Sequence, residues 1–256
     1  MKRLFKSMML SSTAAIGLML VAPLGSFALG TKVTTTDPTS YFCTNVASKT
    51  ATISSKRTGL SDKVTQAWTQ RDQKLSNGWQ QVDQNVTTDR QQADTKQASN
   101  FTKLEAKATT DSEKQAVQTY ESSIKSAVTI RRSAYDSARQ TFRTGVQAAI
   151  STRRAVVTTQ LDAFQSSVNV AISTAETSCS ATPADGPAIR LSFQSSLKTD
   201  RVTFQSDRKN DSTIGSQVKQ LAATRDAAFK TANLVFHTTL QNAHLTLQQA
   251  FGKSSI

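Results

Sequence analysis

Glycine and proline are scarce, at nine and four in 256 residues. A collagen-like chain or a Pro/Gly-rich disordered one needs far more of both. A sheet-rich fold needs turn residues at short intervals, and the chain does not supply them. Acids are also few, 18 against 31 Lys plus Arg, so the formal charge is +13. Hydrophobic residues make up 37% and aromatics 6%, which leaves little for a broad core. Ser, Thr and Gln fill much of the remainder. No Gly-rich phosphate loop, serine nucleophile elbow or zinc-ligand spacing is found. We expect no cofactor, no small-molecule substrate and no enzymatic activity.

The one long apolar run stands at the start. Lys2, Arg3 and Lys6 form a basic segment, Met8 to Val21 is mostly apolar, and Pro23 and Gly25 end it. Ser26-Phe27-Ala28 supplies the small residues a signal peptidase reads, so residues 1–28 are read as a secretory leader cleaved after Ala28. The alternative is retention as a membrane anchor, for which the run is short of the roughly 20 residues a span needs. Loss of three cations and no acid leaves the mature chain at +10. An exported protein so charged suits anionic surroundings: envelope polymers, a membrane surface or extracellular nucleic acid.

An eleven-residue pattern fills the rest. Blocks beginning at Trp68, Trp79, Arg90 and Phe101 read WTQRDQKLSNG, WQQVDQNVTTD, RQQADTKQASN and FTKLEAKATTD. Their fifth positions are Asp72, Asp83, Asp94 and Glu105, and their eighth are Leu75, Val86, Gln97 and Ala108. The pattern resumes with blocks at Tyr120, Arg131, Phe142, Arg153 and Phe164, a unit of twenty-two because aromatic and Arg starts alternate. It returns at Phe193 and Phe204 and, after a phase change, at Val218, Phe229, Leu240 and Phe251. Eleven residues make three helical turns at about 3.67 residues per turn, so such a stripe stays on one face of a straight helix.

Breaks divide the chain. Thr110 and Glu113 have capping-box spacing and start a second helix. Residues 179–187 hold two prolines and a glycine and read as a loop. Residues 29–43 read as a flexible mature N-terminus. The expected helices are 44–108, 111–178 and 188–252, in a region reaching residue 256; the hairpin 44–178 is the first unit. The fold class is all-α: an extended antiparallel three-helix bundle or coiled coil. It becomes four-helix if the last segment breaks near Asn210, where Asp211 and Gly215 follow. In an antiparallel hairpin pivoting near residue 111, Cys43 and Cys179 come level at the open end, and a disulfide is expected there.

The densest cationic zone holds Lys125, Arg131, Arg132, Arg139, Arg143, Arg153 and Arg154 against Asp136 alone. Arg132, Arg143 and Arg154 recur every eleven residues. Two readings stand: a polyanion contact, sequence-independent and salt-sensitive, or a solvated face neutralised by the acid ladder. Members of that ladder lie about 16.5 Å apart along a helix, too far for paired catalytic carboxylates. Arg90, Arg131 and Arg153 replace aromatics on the stripe and are expected to lie over rings such as Trp79 or Phe142. His237 and His244, two turns apart, suit packing or surface roles more than a shared metal.

The stretch FTKLEAKATTDSEKQAV, continuing through RRSAYDSARQTFRTGVQAAISTRRAV, resembles exported long-helix proteins of small-genome bacteria. In composition and helix length the chain is also similar to the Skp/OmpH class of periplasmic chaperones. That likeness implies a holdase as the alternative to a structural or adhesive envelope protein. The eleven- and twenty-two-residue periods are similar to those of exchangeable lipid-binding helices, which implies an amphipathic lipid-surface protein as a further alternative. A homo-oligomer is compatible with each.

Overall fold

The computed structural model describes residues 38–210 and 214–252. The expected leader, residues 1–28, and the stretch 29–37 lie outside the described residues, as does 211–213. The described residues form α1 (Pro38–Thr44), α2 (Val46–Glu105), α3 (Asp111–Ala181), a short 3-10 turn (Pro183–Asp185), α4 (Gly186–Asn210) and α5 (Ile214–Ala250). The fold is all-α, with no strand among the described residues.

Length follows from composition. α2 has 60 residues and α3 has 71, so they extend about 90 Å and about 106 Å at 1.5 Å per residue. Ser and Thr compete with helix formation when their hydroxyls bond nearby backbone. Here the hydroxyls of Thr58, Thr69, Thr87 and Thr95 each donate to the carbonyl four residues back and stay within the helix.

The hairpin turn is set by its cap. Thr110 Oγ1 accepts from the Glu113 N–H at 3.2 Å, and Glu113 Oε2 accepts from the Thr110 and Thr109 N–H groups at 2.9 and 2.8 Å. These bonds satisfy donors that a helix start leaves open. Beneath the turn, buried Ala108, Val117 and Leu247 form a cluster with Leu104, Tyr120 and Phe251 packed around it.

α3 is the spine. α2 lies along one side of it, and no Cα of α2 comes within 8 Å of α4 or α5. α5 runs antiparallel along the first half of α3: Leu247 meets Val117, Phe229 stacks on Tyr135 with centroids 4.1 Å apart, and Leu221 meets Gly145. α4 covers the last part, where Phe204 stacks on Phe164 at 5.1 Å and Phe193 packs with Ala175 and Cys179. A side chain at position 145 would require Leu221 to shift, since a Cβ there falls 2.6 Å from Leu221 Cδ2. The core is narrow; Val117 and Val146 are the largest side chains fully buried.

The structure differs from the sequence expectation at two places. Residues 38–44 are helical, because Phe42 is buried against Phe193 and Cys43 is tied to α3. The loop 179–187 is shorter than expected: α3 continues through Cys179 to Ala181, and Gly186 and Pro187 open α4. Proline suits the first helical turn, where its missing N–H has no partner to lose. The expected segment 188–252 comprises α4 and α5, with 211–213 between them.

Candidate functional site

Each step of eleven residues up α2 is matched by a step of eleven down α3. Arg132 grips Asp94 with two hydrogen bonds of 2.6 and 3.0 Å. Arg143 grips Asp83 at 2.7 and 2.8 Å, and Arg154 pairs with Asp72. The arginine stripe and the acid ladder therefore face each other. Straight antiparallel helices of equal repeat bring equal numbers of residues level, so one correct pair sets the next.

Aromatic rings complete the two rungs nearest the middle of α2. The Arg143 guanidinium lies 5.5 Å from the Trp79 ring and the Arg154 guanidinium 5.6 Å from the Trp68 ring. Each Trp stands four residues before its Asp, on the same helix face. A guanidinium can meet a carboxylate with its edge and a ring with its face, which an ammonium cannot do as well. At the next position the polarity inverts. Arg90 replaces the aromatic and reaches Asp136 on α3 at 2.7 and 3.0 Å, and Arg139 joins the same carboxylate at 3.3 Å.

Electrostatics follow the geometry. The hydrogen bond from Arg143 holds the Asp83 carboxyl below its ordinary range, and that from Arg132 does the same for Asp94. Partial burial lowers Arg131 and Arg139 from the usual guanidinium range. Beyond the ladder, Arg57 bonds the Asn169 amide, and Thr50 Oγ1 donates to Glu176 at 2.8 Å. The open end is closed by the Cys43–Cys179 disulfide, with Cα atoms 5.1 Å apart.

All seven cations of the zone on α3 are engaged. Lys125 pairs with Glu121 at 2.5 Å, and Arg131 lies over the Phe236 ring at 3.9 Å. Arg153 donates to the Arg208 carbonyl at 3.4 Å. Arg132, Arg139, Arg143 and Arg154 are in the ion pairs above. Arg131 lies over a ring as expected, that of Phe236, while Trp79 is covered by Arg143 and Phe142 by Arg225 at 4.7 Å. The facing helix chooses the partner, and spacing along one helix cannot show it. Sequence reasoning did not single out Arg225. Its signal was its place seven residues after Val218 and four before Phe229, on the α5 stripe.

Among the described residues no other cluster of chemistry-bearing groups is found. His237 and His244 are exposed on α5. No group of three or more His, Cys, Asp or Glu among the described residues is placed to hold a metal ion. No helix among them is long and apolar enough to cross a membrane. One groove beside the ladder is lined by Trp79, Asp83, Gln84 and Arg143; another, between α3 and α4, is lined mainly by Ser, Thr and Ala side chains with Asp200. No family model, curated protein or solved structure matches the chain.

Proposed function

We propose that this protein is an exported, non-enzymatic helical scaffold of the cell envelope, a rigid spacer whose sides contact anionic partners. The single observation that carries this reading is the Arg–Asp ladder. Its arginines, which from sequence alone offered a polyanion site, and its aspartates are spent on holding one register along a hairpin about 100 Å long. A catalytic site or a pocket for a compact ligand concentrates such groups in one place; here they are distributed at even intervals. The disulfide at the open end fits the same purpose, and a disulfide fits an oxidising, extracytoplasmic compartment. Contact with an anionic polymer therefore does not rest on Arg132, Arg143 and Arg154, each of which already holds a carboxylate.

The test is cell fractionation with N-terminal sequencing of the purified protein. The expected result is an envelope or extracellular protein that starts after Ala28 and carries no free thiol. A full-length chain in the cytoplasm with Cys43 and Cys179 reduced would contradict the proposal.

A further inference from the structure

The ladder leaves α2 electrically lopsided. Asp72, Asp83 and Asp94 occupy one flank, where α3 neutralises them. The opposite flank carries Lys63, Lys74 and Lys96, again eleven and twenty-two residues apart, with Asn85 in the intervening place. Lys107, in the turn that follows α2, continues the series. At about 3.67 residues per turn Lys63, Lys74 and Lys96 form one straight line along α2. All four lysines are exposed, and none makes an ion pair among the described residues.

The surroundings of the row are as informative as its charge. Positions four and seven further along share its face, and they hold small or amide side chains such as Ala67, Gln70, Gly78 and Gln81. One acid, Asp89, and one further cation, Lys103, complete that face. No large apolar side chain stands among them, so the flank has nothing to bury in a bilayer, which a membrane-surface helix requires. From Lys63 to Lys96 the row runs about 50 Å along α2, with lysines about 16.5 Å or 33 Å apart. A compact ligand reaches one lysine at a time; an extended one reaches all four.

We infer that the lysine row of α2 is a docking surface for a linear polyanion lying along the helix. The inference rests on the scaffold reading, since only a straight α2 keeps Lys63, Lys74 and Lys96 in line. Lysine suits the task because its ammonium is a point charge on a flexible stem, indifferent to the geometry of the anion it meets. Affinity then comes from released counterions, without sequence or sugar specificity.

The experiment measures binding of the full-length oxidised protein to long-chain inorganic polyphosphate over a range of salt concentrations. Three proteins are compared: the parent, the row variant K63Q/K74Q/K96Q/K107Q, and K114Q/K198Q/K219Q/K230Q, which removes four exposed lysines elsewhere at the same net charge. The row variant is expected to reduce the slope of log K against log salt by about 3, near 0.7 for each lost contact, and the control to stay near the parent. Equal effects of the two variants, or no binding by the parent, would overturn the inference. A parent that prefers phosphatidylglycerol vesicles to polyphosphate, with that preference lost in the row variant, would assign the row to a membrane instead and overturn the polymer assignment. Small-angle scattering of the parent and the row variant separates the two readings. A rod without row-dependent binding sinks this inference alone, whereas a compact parent sinks the scaffold.

Discussion

Removing one partner from the Asp83–Arg143 rung shows how much the ladder holds. The two groups share two short hydrogen bonds, with side-chain exposures of 53% for Asp83 and 19% for Arg143. Half-exposed ion pairs contribute up to about 1 kcal/mol, so Asp83→Asn is expected to cost about 0.5–1 kcal/mol. Arg143→Gln also removes the cation over Trp79, about 0.5–1 kcal/mol more, and is expected to cost about 1–2 kcal/mol. The coupling energy from the double-mutant cycle is then about 0.5–1 kcal/mol. Neighbouring rungs are about 16.5 Å apart along the helix, far enough for their effects to add. Asp72→Asn, Asp83→Asn and Asp94→Asn together are expected to cost about 1.5–3 kcal/mol. The assay is urea unfolding followed by circular dichroism at neutral pH with the disulfide intact. A triple variant as stable as the parent, or a cycle with no coupling, would show that the pairs form without stabilising the hairpin.

Acid should weaken the same ladder. Asp83 and Asp94 are held below their ordinary values by Arg143 and Arg132. Their contribution is therefore full above the unfolded-state pKa of about 3.9 and is lost as pH falls through the lowered folded-state values; urea midpoints of the parent should drop below about pH 4, and those of the triple Asn variant should drop less. Reduction of the disulfide, which spans a sequence separation of 136 residues, should lower stability by about 5 kcal/mol in the chain-entropy model, measured by unfolding with and without reductant. Gly59 and Gly78 have open space where a Cβ would stand, so Gly59→Ala and Gly78→Ala should each raise stability by about 1 kcal/mol. Gly145→Val, which presses on Leu221, should instead lower it by about 1–3 kcal/mol; thermal melts compare the three.

Much of the helical layout was legible because period and punctuation agree. Thr110 and Glu113 mark the turn by chemistry that acts within four residues, and the structure shows the capping box there. The cysteine pairing was legible because straight antiparallel helices turn sequence distance into position, and Cys43 and Cys179 are bonded. What depended on a facing helix was not legible. Both a polyanion contact and a solvated face neutralised by the acid ladder were open for Arg132, Arg143 and Arg154, because an eleven-residue row has the same spacing whether it meets a polyanion or Asp94, Asp83 and Asp72. The ring partners went the same way: Trp79 takes Arg143 from α3, although Arg90 is nearer in sequence. Helix α1 was hidden because its seven residues are too few to show a period, and it is fixed by Phe42 and Cys43 through tertiary contacts.

The central claim is a straight scaffold, and small-angle scattering of oxidised residues 29–256 at dilutions where they are monomeric tests it most directly. A rod as long as the 71-residue α3, about 106 Å at 1.5 Å per residue, has a radius of gyration near 30 Å, and that is the value expected. A compact domain of the same chain length would have a radius near 17 Å, and a measured value close to it would contradict the scaffold.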